Sequence, residues 1–301
     1  MQATPNILRG IGLMLCAVFI FALMDSTAKW LAAKYPVPML VWARYLVHCV
    51  LMLVFLLPSH GRRLWRTSRP RLQILRALML FCVTGLLIAS FRLVPLTVAT
   101  AILFITPLLV GLLAGPVLGE KVATAQGLAI VIGLVGMLLI ARPGGEVSLT
   151  GVLFAVAGAL CYTVYQLLTR ILAPSENSVT LLFYTALTGT LCSSALLPWV
   201  WSDIAPDAFD SLLICMLGVM GGCGHYLLIR AFRRAPAATL APFIYVQLIW
   251  AGLLDLLVFG HLPDGPTWIG VALIAAAGLS VVIRERLNAR SRPAPPVDTA
   301  Y

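Results

Sequence analysis

Ten apolar runs, each roughly 20 residues long, dominate this chain: 7–33, 37–57, 72–91, 95–118, 124–141, 150–170, 179–201, 211–230, 236–259 and 266–283. An α-helix rises about 1.5 Å per residue, so about 20 apolar residues cross a hydrocarbon core once. Hydrophobic residues make up 61% of the chain and charged residues 11%. A soluble domain carries about 25% charge, so lipid and not a water-facing fold must cover this much apolar surface. The expected fold class is therefore an all-α membrane protein with ten transmembrane helices. The gaps carry turn formers, as in Tyr35-Pro36-Val37-Pro38 and Pro263-Asp264-Gly265-Pro266, and most are short, so neighbouring helices run antiparallel.

The net charge of +10 does not point to nucleic acid, because the basic residues sit in short gaps between apolar runs. With the N-terminus inside and ten crossings, 16 of the 21 Lys and Arg fall on one side, six of them in the group from Arg62 to Arg76. Lys34, Arg92 and Arg142 fall on the other. This asymmetry predicts a multi-pass protein of the bacterial inner membrane with both termini cytoplasmic. The seven cysteines lie in apolar runs without metal-type spacing, so free thiols are expected, with no metal and no cofactor. Signatures of soluble enzymes, such as phosphate loops and GxSxG or HExxH sequences, are absent from the chain, so no enzyme activity is expected.

The chain repeats itself at an offset of 141 residues. Phe91-Arg92-Leu93-Val94-Pro95 matches Phe232-Arg233-Arg234-Ala235-Pro236, Gly111 matches Gly252, and Gly119 matches Gly260. Five helices per copy is an odd number, so the second copy enters from the opposite side. The loops agree: the Arg62–Arg71 stretch is basic, whereas Trp201–Ser211 holds Asp203, Asp207 and Asp210. The expected organisation is two inverted five-helix repeats, 1–142 and 143–288, with a disordered tail over 289–301. Inverted repeats suit a carrier that opens alternately to the two sides of a membrane.

Charged groups within spans cost at least about 2.5–3.5 kcal/mol and point to function. Asp25 and Lys29 are four apart on the first helix; Arg44 and His48 are four apart on the second. Counted from the turn between the helices, Lys29 lies about 6 Å deep, Arg44 about 10 Å, Asp25 about 12 Å and His48 about 16 Å. A zwitterionic ligand would find a partner there for each end. The competing reading is a structural pair between Asp25 and Lys29. In the second copy Gln166 replaces Asp25 and Thr185 replaces Arg44, with Tyr162, Tyr184, Gln247 and Trp250 as further candidate contacts. Asp25, His48 and Asp255 are candidates for proton coupling, Asp255 lying near the end of its span where water reaches it. Pro107 and Pro242 are expected to kink their helices as hinges.

Lys29, Trp42-Ala43-Arg44-Tyr45, and the run from Pro95 through Pro107 to Leu118-Gly119-Glu120-Lys121 resemble the drug/metabolite transporter superfamily in its EamA branch. The second copy departs from the pattern, with Gly260-His261 in place of Gly-Glu and Leu248 in place of a mid-helix proline. The resemblance implies ten spans in two halves and a small-metabolite cargo such as amino acids, S-adenosylmethionine, riboflavin, sugars or opine-type metallophores. The segment from Phe21 to Lys29 looks most like carriers of amino-acid-like zwitterions, either S-adenosylmethionine uptake carriers or pseudopaline-type metallophore exporters. The expectation is a secondary active transporter of a small polar, zwitterionic metabolite, with export favoured slightly over uptake. Arg44 and Lys29 would hold a carboxylate and Asp25 an amine or a proton. A passive channel is the rival of another class, and a homodimer is compatible with the chain.

Overall fold

A polar backbone in lipid must satisfy its hydrogen bonds within its own segment, which leaves helices as the form for such apolar runs. The computed structural model describes residues 7–118, 124–140, 147–172, 175–200, 204–232, 234–235, 240 and 243–290. The helices are α1 (Ile7–Ala32), α2 (Val37–His60), α3 (Pro70–Phe91), α4 (Leu96–Leu103), α5 (Thr106–Leu118), α6 (Thr124–Ile140), α7 (Leu149–Leu172), α8 (Ser178–Val200), α9 (Ala208–Phe232), α10 (Val246–Phe259) and α11 (Gly265–Arg290). Seven helical stretches are long and apolar enough to cross a membrane, α4 and α5 counting together over Leu96–Leu113, and three shorter apolar helices complete ten.

The helix limits carry the repeat. α2 begins at residue 37 and α8 at 178; α6 begins at 124 and α11 at 265; α3 ends at 91 and α9 at 232. The offset is again 141. Packing is crosswise between the copies: α1 lies on α9 and α3 on α7, while α2 meets α8, α6 meets α11 and α4 meets α10. Small residues bring the backbones close, a main source of helix association in lipid. Where α6 crosses α11, a Cβ on either Gly136 or Gly270 would collide with the other's carbonyl oxygen. Gly127, by contrast, has open space beside it.

The fourth span is broken. Pro107 has no N–H to give to the carbonyl of Leu103, and its ring crowds that carbonyl. The helix stops at Leu103, turns through Phe104 and Ile105, and restarts at Thr106. Thr106 Oγ1 donates to the freed Leu103 oxygen at 2.6 Å. Pro107 thus sits in the first turn of α5 instead of kinking a continuous helix. In the second copy a turn falls at Tyr245, the equivalent of Phe104, although Leu248 stands where the proline would be. The two turn residues touch, with ring centroids 5.2 Å apart. Pro242 and the tail beyond 290 lie outside the described residues, as do Glu120, Lys121 and Arg142.

Each face of the bundle has a latch between the copies. On the face away from the Arg62–Arg71 loop, Lys34 Nζ donates to both oxygens of Asp210 at 3.1 and 3.0 Å, and the Tyr35 hydroxyl donates to Oδ2 at 2.8 Å. On the arginine face, Glu176 accepts from Thr67 Oγ1 at 2.8 Å, Ser68 N at 2.9 Å, Ser68 Oγ at 2.8 Å and Gln73 Nε2 at 3.3 Å. α1 therefore runs from the arginine face to the far face, and α7, its equivalent, runs the other way.

Candidate substrate site

About two turns before the end of α1, Asp25 points into the bundle and accepts from Gln247 Nε2 of α10 at 3.3 Å. Arg44 of α2 lies within electrostatic reach of Asp25, His48 and His225, yet forms no ion pair with Asp25. The glycines of α9 make room for this. Arg44 Nε and Met24 Sδ lie where a side chain on Gly221 would meet them, both at 3.7 Å; His48 does the same at Gly222, 3.6 Å away. Phe21 fills the space beside Gly224. The Gly221-Gly222-Cys223-Gly224 run is thus a close-packing surface, and it sets His225 against Phe21 at 5.1 Å and parallel to His48 at 6.5 Å between centroids.

α7 forms the opposite wall. Tyr162 and Tyr165, one turn apart, stack with centroids 5.6 Å apart and an interplanar angle of 10°. Tyr162 lies within electrostatic reach of Asp25 and Arg76. Asp25, Arg44, Tyr162, Tyr165, Gln166 and His225 all keep accessible surface, although Asp25, Tyr162 and His225 lie deep in the protein. They gather as one polar cluster, the chamber, between α1, α2, α7, α9 and α10. An acid, a cation, two imidazoles, two amides and a stacked tyrosine pair converge there.

Two arginines with opposite fates define what this chamber can do. Arg76 of α3, assigned to a loop by the charge count, is 2% exposed. Its guanidinium donates to Thr169 Oγ1 at 2.7 Å, Leu181 O at 3.0 Å, Thr185 Oγ1 at 3.0 Å and Tyr165 OH at 2.8 Å. Arg76 is thereby committed to fastening α3 to α7 and α8. Among the described residues, Arg44 makes no such hydrogen bond, and its fork of donors is uncommitted. Arg76 could have been found in the sequence, since it falls five residues inside the run that begins at 72.

Four expected site residues lie elsewhere. Lys29 is 8% exposed, and its ammonium turns to the far face, donating to Phe91 O at 3.2 Å and Val94 O at 2.6 Å. A long side chain one turn beyond Asp25 reaches the C-terminus of α3, where carbonyls lack helical partners and favour a cation. It therefore neither pairs with Asp25 nor shares its chamber. Asp255 is 0% exposed, not wet. Its Oδ2 accepts from Thr97 N at 2.8 Å and Thr97 Oγ1 at 2.9 Å, capping the first turn of α4. Tyr184 donates to Trp65 O at 3.0 Å at the arginine face. Trp250 packs edge-on against Phe19 at 4.8 Å, in an apolar cluster with Met14 and Val18.

Ten spans in two crosswise copies, around a chamber with unpaired opposite charges, are the architecture of a multi-pass membrane carrier. The description "EamA-like transporter family" is matched twice, over residues 8–142 and 149–283, and the chain belongs to that family. It is similar to an S-adenosylmethionine uptake transporter of Rickettsia felis, 26% identical over 95% of this chain and 96% of the relative. It is also similar to a riboflavin transporter of Vibrio cholerae, 28% identical over 89% of this chain and 90% of the relative. A crystal structure with 20% sequence identity shares the fold with a TM-score of 0.63, covering 93% of this chain and 98% of the matched chain.

Proposed function

We propose that this protein is a secondary carrier for a small zwitterionic metabolite with an α-amino-acid head, S-adenosylmethionine being the probe of choice. The observation that carries the reading is the unbridged gap between Asp25 and Arg44. The amine would meet Asp25 with Gln247 beside it, and the carboxylate would meet the free guanidinium fork of Arg44. The stacked Tyr162 and Tyr165 offer a flat aromatic surface to the remainder of the cargo. The names of the Rickettsia relatives favour uptake over the export expected from sequence. By the positive-inside rule, the basic loops favour a cytoplasmic arginine face and cytoplasmic termini. Asp25 and His48 are the coupling candidates that face the chamber; Asp255 serves α4 instead.

The test is counterflow in proteoliposomes. Preloaded S-adenosylmethionine should drive accumulation of labelled S-adenosylmethionine through the wild-type protein. Flux that never exceeds simple equilibration would identify a passive channel and contradict the proposal.

A further inference from the structure

One helical turn beyond Asp25, the far face holds a cavity of about 360 Å³. It is lined by Lys29, Arg92, Val98, Val147, His261 and Thr267, among others. The volume lies in the range of small-molecule sites. It is separate from the chamber: α1 presents Asp25 to one and Lys29 to the other.

Among the described residues, the lining holds two cations, the exposed Arg92 and the buried Lys29, and one acid, the exposed Asp264. Arg92 caps the end of α3, is exposed, and gives its guanidinium no hydrogen bond among the described residues. Lys29 donates to two carbonyls and lies over the Phe259 ring at 5.1 Å. His261 is half exposed, and its Nδ1 stands 3.6 Å from the buried Oδ1 of Asp255, which has no hydrogen-bond partner. Asp264, the acid on the lining, accepts from Thr267 N at 3.0 Å and so caps α11. Among the described residues, the acids near the cavity, Asp255 and Asp264, each cap a helix start, whereas the Arg92 fork makes no hydrogen bond.

We infer that this cavity is a second recognition station, which takes the carboxylate end of the cargo through Arg92, with the Lys29 amine anchored beneath it. A molecule entering from the far face would be held first here and then one turn deeper, at Arg44. This rests on the zwitterion reading of the chamber and adds a site to it.

The test is titration calorimetry on the purified full-length chain in detergent with S-adenosylmethionine. Arg44→Ala should leave residual binding about tenfold or more weaker than wild type. Adding Arg92→Gln should abolish that residual binding. Adding Val147→Trp instead should abolish it too, by filling the cavity without altering charge, so the outcome does not hang on one variant folding. Residual binding untouched by both additions would overturn the inference, as would no binding at all to the Arg44→Ala protein. Equal binding by wild type and Arg44→Ala would instead remove the chamber reading; its loss on adding Arg92→Gln would still support the far-face station.

Discussion

α1 and α7 occupy equivalent places in the two copies and do different work. α1 carries Asp25 and Lys29; α7 carries Gln166 and Arg170 at the matching positions, with the stacked Tyr162 and Tyr165 a turn away. α1 supplies a charge to the chamber, and α7 supplies an aromatic and amide wall. The latches differ in a similar way. Tyr35 of the first copy donates a hydrogen bond to Asp210, whereas Glu176, its equivalent, accepts four. Duplication preserved the backbone contacts between copies while their polarity reversed. An inverted repeat constrains where helices meet, and it leaves the chemistry of each meeting free to diverge.

The strongest way to break this comparison is to remove the charges of the first copy. Arg44→Ala and Asp25→Asn should each lower S-adenosylmethionine counterflow at least about 100-fold, because a charged partner left unmatched in a dry site costs several kcal/mol. Gln166→Ala, on the equivalent wall, should lower it only severalfold. Rates normalised to reconstituted protein decide the matter, and equal losses would erase the distinction.

Arg76 sharpens the contrast between binding and fastening. Arg76→Met should lower the melting temperature and the yield of folded protein, since each hydrogen bond to a buried charged group contributes about 1.5–3 kcal/mol. The folded fraction should bind S-adenosylmethionine within severalfold of wild type. A large affinity loss with unchanged melting would move Arg76 into the site.

The arginine-face latch has a pH signature. Partial burial pushes the Glu176 carboxyl up, but hydrogen bonds from Ser68, Thr67 and Gln73 outweigh this and hold it below its ordinary value of 4.5. A carboxyl lowered by folding contributes stability above its unfolded pKa and loses that contribution as pH falls through the folded one. Wild type should therefore melt above Glu176→Gln at neutral pH, and the two should converge as pH falls through the lowered pKa of Glu176. A difference that is constant with pH would contradict the latch.

The ten spans were legible because lipid demands long apolar runs, and the inverted repeat was legible because residues such as Arg92 and Pro95 recur at a fixed offset. Asp25, Arg44 and His48 could be picked out as polar groups at similar depth, Gln166 by its equivalence to Asp25, and Gln247 as a polar group in an apolar run. What sequence could not show was direction. Helical spacing put Lys29 on the face of Asp25, but its reach to the end of α3 depends on where α3 stops. Asp255 and Tyr184 read as site residues because they interrupt apolar runs, and each meets a backbone group from a distant segment instead. The break before Pro107 was legible from the proline; the matching turn at Tyr245 was not, since its equivalent position holds Leu248.

The account depends most on the pairing of the cargo's amine with Asp25. The direct measurement compares the affinity of S-adenosylmethionine with that of its desamino analogue, in wild type and in Asp25→Asn. Wild type should prefer the parent by at least about tenfold, roughly 1.4 kcal/mol, and Asp25→Asn should bind the two alike. An undiminished preference in Asp25→Asn would show that another group reads the amine and would contradict the site described for this chamber.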